Sequence, residues 1–250
     1  MFSFLSKNYL KAKLKDTSYN IEVKNSVTST NSIMKERALR KDCSWHVLVA
    51  TKQTAGRGRM GRTFYSPSHS GVYMSVAIKI DSGENPLLIT TDAAVCAARA
   101  LEKMSGKSTY IKWVNDIYIE NRKVCGILTE GAGEYAVLGV GINVLPPKQG
   151  FPEDIKDRAG AVFAKKRAHI REDVIVELLC EFAKIYKKED RAKLLAEYRK
   201  RSMIIGKEIT ILNTGEKAQA VEISDDYSLV VKKENGEKEK LSSGDVSIKI

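Results

Sequence analysis

Thr54-Ala55-Gly56-Arg57-Gly58-Arg59-Met60-Gly61-Arg62-Thr63-Phe64 holds three arginines, three glycines and no acidic side chain within eleven residues. Glycine lacks the Cβ that closes much of backbone space, so the chain can approach a ligand closely. Arginine adds a permanently charged planar fork of donors that fits phosphate and carboxylate oxygens. A cationic loop able to wrap an anionic small molecule is one reading; a basic turn or a nucleic-acid patch is another. The flanks bear on the choice. Trp45-His46-Val47-Leu48-Val49-Ala50-Thr51 before the loop and Gly71-Val72-Tyr73-Met74-Ser75-Val76-Ala77-Ile78 after it both read as strands, so the loop hangs from a folded sheet.

The 250 residues, 43% of them hydrophobic, suffice for one large domain or one plus a small one. A net charge of +11 favours acidic partners. Cys43, Cys96, Cys125 and Cys180 are scattered, with no CxxC and no histidine cluster, which argues against a zinc site or a disulfide framework and for a reducing, cytoplasmic setting. The apolar run at the N-terminus is too short for a signal peptide. No stretch approaches the roughly 20 apolar residues that span a bilayer, so no membrane partner is expected.

Residues 1 to 20 are polar without a clear period and too few for a helix-turn-helix domain. Ile21-Glu22-Val23 reads as a short strand. Ser29, Thr30 or Asn31 is placed to cap a helix from Ile33 to Leu39. Pro86 to Leu101, rich in alanine and leucine, reads as a helix packed on a sheet. Ile117 to Ile119 and Val124 to Leu128 flank Glu120-Asn121-Arg122-Lys123, a hairpin turn by composition. Asp173 to Lys188 and Arg191 to Arg201 read as helices, the second with a solvated basic face. From Gly206 onward, short alternating strands with turns at Asn213-Thr214-Gly215-Glu216, Ser224-Asp225-Asp226 and Glu234-Asn235-Gly236-Glu237 indicate a small barrel.

Three of these stretches carry a resemblance. Gln53 to Arg62, continued by Phe64-Tyr65-Ser66-Pro67, is similar to the ligand-binding loop of biotin protein ligases. The second signature of that family, Lys-Trp-x-Asn-Asp followed by Arg-Lys-x-x-Gly-Ile-Leu-x-Glu, is matched from Lys112 to Glu130, and Val140-Gly141-Ile142-Asn143-Val144 resembles its Gly-Ile-Asn strand end. Ser29-Thr30-Asn31 matches the family's Ser-Thr-Asn, and the resemblance covers residues 20 to 250. Val114 stands where the family usually has proline, Cys125 where it has a small residue, and Phe64 where it often has tryptophan.

The resemblance implies an α+β fold, a mixed sheet flanked by helices over residues 1–203, followed by an SH3-like barrel over 204–250. It also implies a short form without a DNA-binding domain. The implied reaction activates biotin with ATP to biotinyl-5′-AMP and transfers it to a lysine of a biotin carboxyl carrier domain. Ser29, Thr30, Asn31, Gln53, Arg57, Gly58, Arg59, Lys123 and Gly126 would bind biotin. Arg59, Arg62, Lys112, Asn115, Asp116, Lys123 and Asn143 would bind ATP, with Lys123, Arg59, Arg62, Asp116 and Lys112 as the catalytic set. Asp116 would hold Mg²⁺ with the nucleotide. No nucleic-acid partner is implied, and a homodimer through the exposed sheet stays open. So do two alternatives, a lipoate ligase of the same fold and a basic nucleic-acid-binding protein. Lipoate lacks a ureido group, so the Ser-Thr-Asn and Gln53 set argues for biotin.

Overall fold

The structure, a computed structural model, describes residues 5–40, 42–81, 86–186, 190–242, 244 and 246–248. A seven-stranded sheet is formed by β1 (Asn20–Lys24), β2 (His46–Ala50), β3 (Gly71–Lys79), β4 (Tyr110–Lys112), β5 (Asp116–Ile119), β6 (Arg122–Ala132) and β7 (Tyr135–Asn143), in the order β1-β2-β3-β7-β6-β5-β4. β1 and β2 run parallel and the other neighbours antiparallel. The helices are α1 (Lys7–Lys13), α2 (Thr30–Ala38), α3 (Pro86–Ser105), α4 (Ile170–Ile185) and α5 (Arg191–Arg201). This is the mixed sheet with flanking helices that the sequence implies.

Alternation along each strand sends side chains to two different covers. Val47, Val49, Val76, Ile78, Leu138 and Val140 join Ala94, Ala97 and Leu101 of α3 and Val174, Leu178 and Phe182 of α4 in the main core. Their neighbours Leu48, Ala77 and Val137 face the other way, where they meet Met34 and Ala38 of α2 in a smaller cluster. That second face is only partly covered.

Several boundaries differ from the expectation. α2 begins at Thr30 rather than Ile33, because Ser29 is the cap: its hydroxyl accepts from the backbone N–H of Ser32. The β5–β6 turn is only Glu120-Asn121, both left-handed (φ 49° and 60°), so Arg122 and Lys123 belong to β6. Residues 7–13, read as aperiodic, form α1, with Ser6 as cap and Leu10 and Leu14 buried against the core. Two apolar residues among lysines were too sparse a period to reveal it. α4 starts at Ile170, three residues early; residues 187 and 188 of the expected helix lie outside the described residues. α5 is not simply a solvated basic face. Leu194, Leu195 and Tyr198 are buried, Arg191 pairs with Asp92 at 2.6 Å, and Arg201 pairs with Glu102 at 2.7 Å.

The turn signals after Gly206 separate β8 (Glu208–Ile211), β9 (Lys217–Ile223), β10 (Leu229–Lys233), β11 (Lys238–Leu241) and β12 (Val246–Ser247), an antiparallel sheet in the order β11-β10-β9-β8-β12. It docks on the β4–β5 connection. The Trp113 indole N–H donates to the Tyr227 carbonyl at 2.9 Å, the Tyr198 hydroxyl to the Val114 carbonyl at 3.0 Å, and Arg199 to the Ile223 carbonyl at 2.7 Å. The Trp113–Val114 peptide bond is cis. Among the described residues no helix is long and apolar enough to cross a membrane. Trp113→Phe keeps an aromatic side chain, though a smaller one, and leaves the buried Tyr227 carbonyl without this donor. Urea unfolding is expected to lose about 2 kcal/mol of stability; an unchanged midpoint would show that the indole bond does not hold the barrel.

Candidate active site

The cavity occupies the part of the second sheet face that α2 leaves open. Register fixes which positions share that face: Gly141 of β7 lies opposite Gly126 of β6 and Tyr73 of β3, and Gly139 lies opposite Leu128 and Ser75. Three of these positions are glycine because other groups come down onto the strands. A Cβ on Gly139 would lie 2.1 Å from Asn31 Oδ1, and one on Gly141 2.6 Å from the Phe64 ring. On Gly126 it would come within 3.3 Å of both Lys123 Nζ and Phe64. The trough so cleared has a volume of about 250 Å³. All fourteen residues singled out in the sequence line it: Ser29, Thr30, Asn31, Gln53, Arg57, Gly58, Arg59, Arg62, Lys112, Asn115, Asp116, Lys123, Gly126 and Asn143.

One end is neutral and densely hydrogen-bonded. The Thr30 N–H and hydroxyl both donate to Gln53 Oε1, at 2.8 and 3.1 Å. Gln53 in turn donates to the Ser66 hydroxyl at 3.0 Å, which donates to the Phe64 carbonyl at 2.8 Å. The buried Ser75 hydroxyl lies 2.8 Å from Thr30 Oγ1 and 2.6 Å from Asn31 Oδ1. The Asn31 amide donates to the Leu128 carbonyl (3.2 Å) and to Glu130 Oε2 (3.1 Å), so both of its hydrogens are committed within the protein.

The arginine/glycine loop roofs the trough as a small closed turn. Phe64 N–H donates to the Gly56 carbonyl at 3.0 Å and Gly58 N–H to the Arg62 carbonyl at 2.7 Å, with Met60 and Gly61 both left-handed. Arg57 reaches Glu130 at 3.2 Å. Arg59 donates to Asn115 Oδ1 at 3.2 Å and to the Gly244 carbonyl, beyond β11, at 2.9 Å. Burial alone would push the Glu130 carboxyl up, but hydrogen bonds from Lys35 and Asn31 and the charge of Arg57 outweigh it and hold it below the ordinary carboxylate range.

At the other end Lys123 Nζ sits 2.7 Å from Asp116 Oδ2, while Asp116 Oδ1 is buried and makes no hydrogen bond. Lys112 lies directly across the β4–β5 register from Asp116, and Asn143 closes β7. The arrangement can therefore hold a ligand with a neutral polar head and an anionic tail.

The profile of the Biotin/lipoate A/B protein ligase family matches residues 23–145, and that of the Biotin protein ligase C terminal domain matches residues 204–249. The Biotin–[acetyl-CoA-carboxylase] ligase of Mycobacterium tuberculosis is 32% identical over 190 residues, covering 73% of this chain and 71% of that protein. The chain belongs to the biotin protein ligase family. The Bifunctional ligase/repressor BirA of Bacillus spizizenii is 36% identical over 168 residues, 64% of this chain and 52% of that protein, so the chain spans about half the length of this relative. A solved biotin protein ligase from Aquifex aeolicus in complex with biotin and ATP superposes with a TM-score of 0.76 at 27% identity, covering 92% of this chain and 98% of that one.

One wall of the cavity and its bracing lie outside the residues that the family signatures mark. Phe151, Ile155, Arg158 and Ala159 line the trough from a segment in which the sequence offered no site residue. That segment is laced to β6: Lys123 N–H donates to the Arg158 carbonyl at 2.7 Å, and Gly160 N–H to the Lys123 carbonyl at 2.9 Å. The available signal was a pair of apolar residues, Phe151 and Ile155, in an otherwise charged and proline-containing stretch. Ser66, Ser75 and Glu130 were also missed as partners of the binding residues.

Two glycine substitutions separate close approach from general strand propensity. Gly139→Ala drives a methyl into the buried Asn31 amide and is expected to cost about 1–3 kcal/mol in thermal or urea unfolding. Gly131→Ala, on β6 with nothing within 4 Å of the new Cβ, should stay within about 0.5 kcal/mol. Equal effects at the two positions would contradict the packing assigned to Asn31.

Proposed function

We propose that this member of the biotin protein ligase family activates biotin with ATP to biotinyl-5′-AMP and transfers the biotinyl group to a lysine of a biotin carboxyl carrier domain. The observation that carries the reading is the polarity of a single glycine-floored trough, neutral and hydrogen-bonding at one end and cationic, with Lys123, at the other. From Gly139 to Asn143 the floor spans four residue steps, about 14 Å at roughly 3.4 Å per step, a length suited to a bicyclic head joined to a nucleotide.

Ser29, Thr30 and Gln53 would meet the ureido ring, with Asn31 locked behind them and the Gly58 backbone above. A carboxylate is inert to an amine, so one of its oxygens first attacks the α-phosphorus and the bond to pyrophosphate breaks. Two anions must approach for this, and Lys123, Arg59, Arg62 and Lys112 supply positive charge where negative charge accumulates. Asn115 orients Arg59, and Asn143, Phe151 and Ile155 would receive the nucleoside. The carrier lysine, as its neutral amine, then attacks the acyl carbon, the bond to the phosphate oxygen breaks, AMP leaves and the amine's proton passes to solvent. The unpartnered oxygen of Asp116 is suited to the cation that arrives, either the lysine ammonium or Mg²⁺ bound to the triphosphate. Magnesium would neutralise phosphate charge and would come with the nucleotide, since among the described residues no cluster of three or more His, Cys, Asp or Glu could hold it alone. A match to the biotin protein ligase C-terminal profile supports biotin over lipoate. A cytoplasmic setting fits the four free cysteines.

Purified protein supplied with biotin, ATP and Mg²⁺ should release pyrophosphate and retain biotinyl-adenylate detectable by mass spectrometry; absence of adenylate would overturn the proposal. In Lys123→Ala, adenylate formation should fall roughly a hundred- to a thousandfold. Transfer from chemically supplied biotinyl-adenylate should fall less. Pyrophosphate release at the wild-type rate would remove Lys123 from the first step.

A further inference from the structure

We infer that Glu130 is a positioning residue: its carboxylate pins Arg57 to the sheet and thereby sets where the arginine/glycine loop lies over the neutral end of the trough. The inference rests on the proposed ligase activity, in which that end receives biotin.

Glu130 is two residues beyond Leu128 on the cavity face of β6, and its side chain is only 15% exposed. It does not line the cavity, so it acts through other residues. Three donors from two separate elements converge on it. Lys35 of α2 reaches Oε1 at 2.8 Å, Arg57 of the loop reaches the same oxygen at 3.2 Å, and the Asn31 amide reaches Oε2 at 3.1 Å.

Arg57 stands at the base of the loop, in bridge pairing with Thr63 next to the Gly58–Arg62 hydrogen bond. Fixing Arg57 therefore fixes the turn that carries Gly58 and Arg59. With its side chain 48% exposed, Arg57 gains little stability from the pair. What the pair supplies is geometry. Without the carboxylate, Lys35 and Arg57 would face one another as like charges, and the loop would move outward. The same carboxylate, with the Leu128 carbonyl, uses both amide hydrogens of Asn31, leaving Ser29, Thr30 and Gln53 to meet the ligand.

The test compares wild-type protein with Glu130→Gln and Lys35→Met. It reads biotin affinity, ATP KM and release of preformed biotinyl-adenylate at low and high salt. Glu130→Gln should release adenylate and biotin about fivefold faster, with ATP KM within about twofold of wild type, because a half-solvated pair is lost. The defect should shrink at high ionic strength, where repulsion between Lys35 and Arg57 is screened. Lys35→Met, which keeps the bond to Arg57, should remain within about twofold throughout. Should Glu130→Gln fail to fold, Glu130→Asp decides: it keeps the charge but withdraws it by one carbon from Arg57, so biotin and adenylate release should still rise with ATP KM unchanged, but by less and with little response to salt. Release unchanged within about twofold, or parallel loss of biotin and ATP affinity independent of salt, would overturn the inference. If the wild-type protein forms no adenylate at all, the proposed function fails instead.

Discussion

A bound ligand and a covering helix cannot share the same patch of sheet, and the architecture divides one face between them. Met34 and Ala38 of α2 seal the half that carries Leu48, Ala77 and Val137. The other half is cleared by Gly126, Gly139 and Gly141, on neighbouring antiparallel strands in direct register for two of the three. Everything else at the site follows from that clearing. The Asn31 amide can descend onto Gly139, the Phe64 ring onto Gly141, and Lys123 can lie over Gly126. A one-residue slip of β6 against β7 would turn the side chain of Ile127 or Val140 out of the main core and into the trough.

The cations of the site are held before any anion arrives. Lys123 is paired with Asp116, Arg57 with Glu130, and Arg59 is held by the neutral acceptors Asn115 and Gly244. In the proposed reaction such preorganisation would lower the reorganisation needed as negative charge builds up, and it would keep like charges from scattering the loop. The neutral end obeys the same logic with hydrogen bonds. The chain from Asn31 through Ser75, Thr30 and Gln53 to Ser66 leaves few rotamers open.

Much of this was legible in the sequence, for identifiable reasons. The loop announced itself because arginine and glycine are rarely so dense between two apolar strands, and the helix cap at Ser29 and the barrel turns follow from local chemistry. What escaped depended on partners distant in sequence. Glu130 sat inside a quoted signature without drawing a role of its own, since its donors Asn31, Lys35 and Arg57 lie 73 to 99 residues away. Phe151 and Ile155 carry no period because their segment is neither helix nor strand. α1 escaped because a seven-residue helix with Leu10 and Leu14 as its apolar contacts offers too few repeats to recognise.

The hydrogen bond from Arg59 to the Gly244 carbonyl joins positions 185 residues apart. On a ribosome adding about 5–20 residues per second, the barrel acceptor emerges roughly 10–40 s after the arginine it will hold. The sheet, with its mostly sequence-adjacent antiparallel strands, can form in that interval, whereas the loop must remain unfinished. Closing so long a loop is also entropically late in any refolding reaction. If the proposed activity holds, competence to retain an activated, hydrolysable intermediate would thus arise only after the C-terminal sheet has docked.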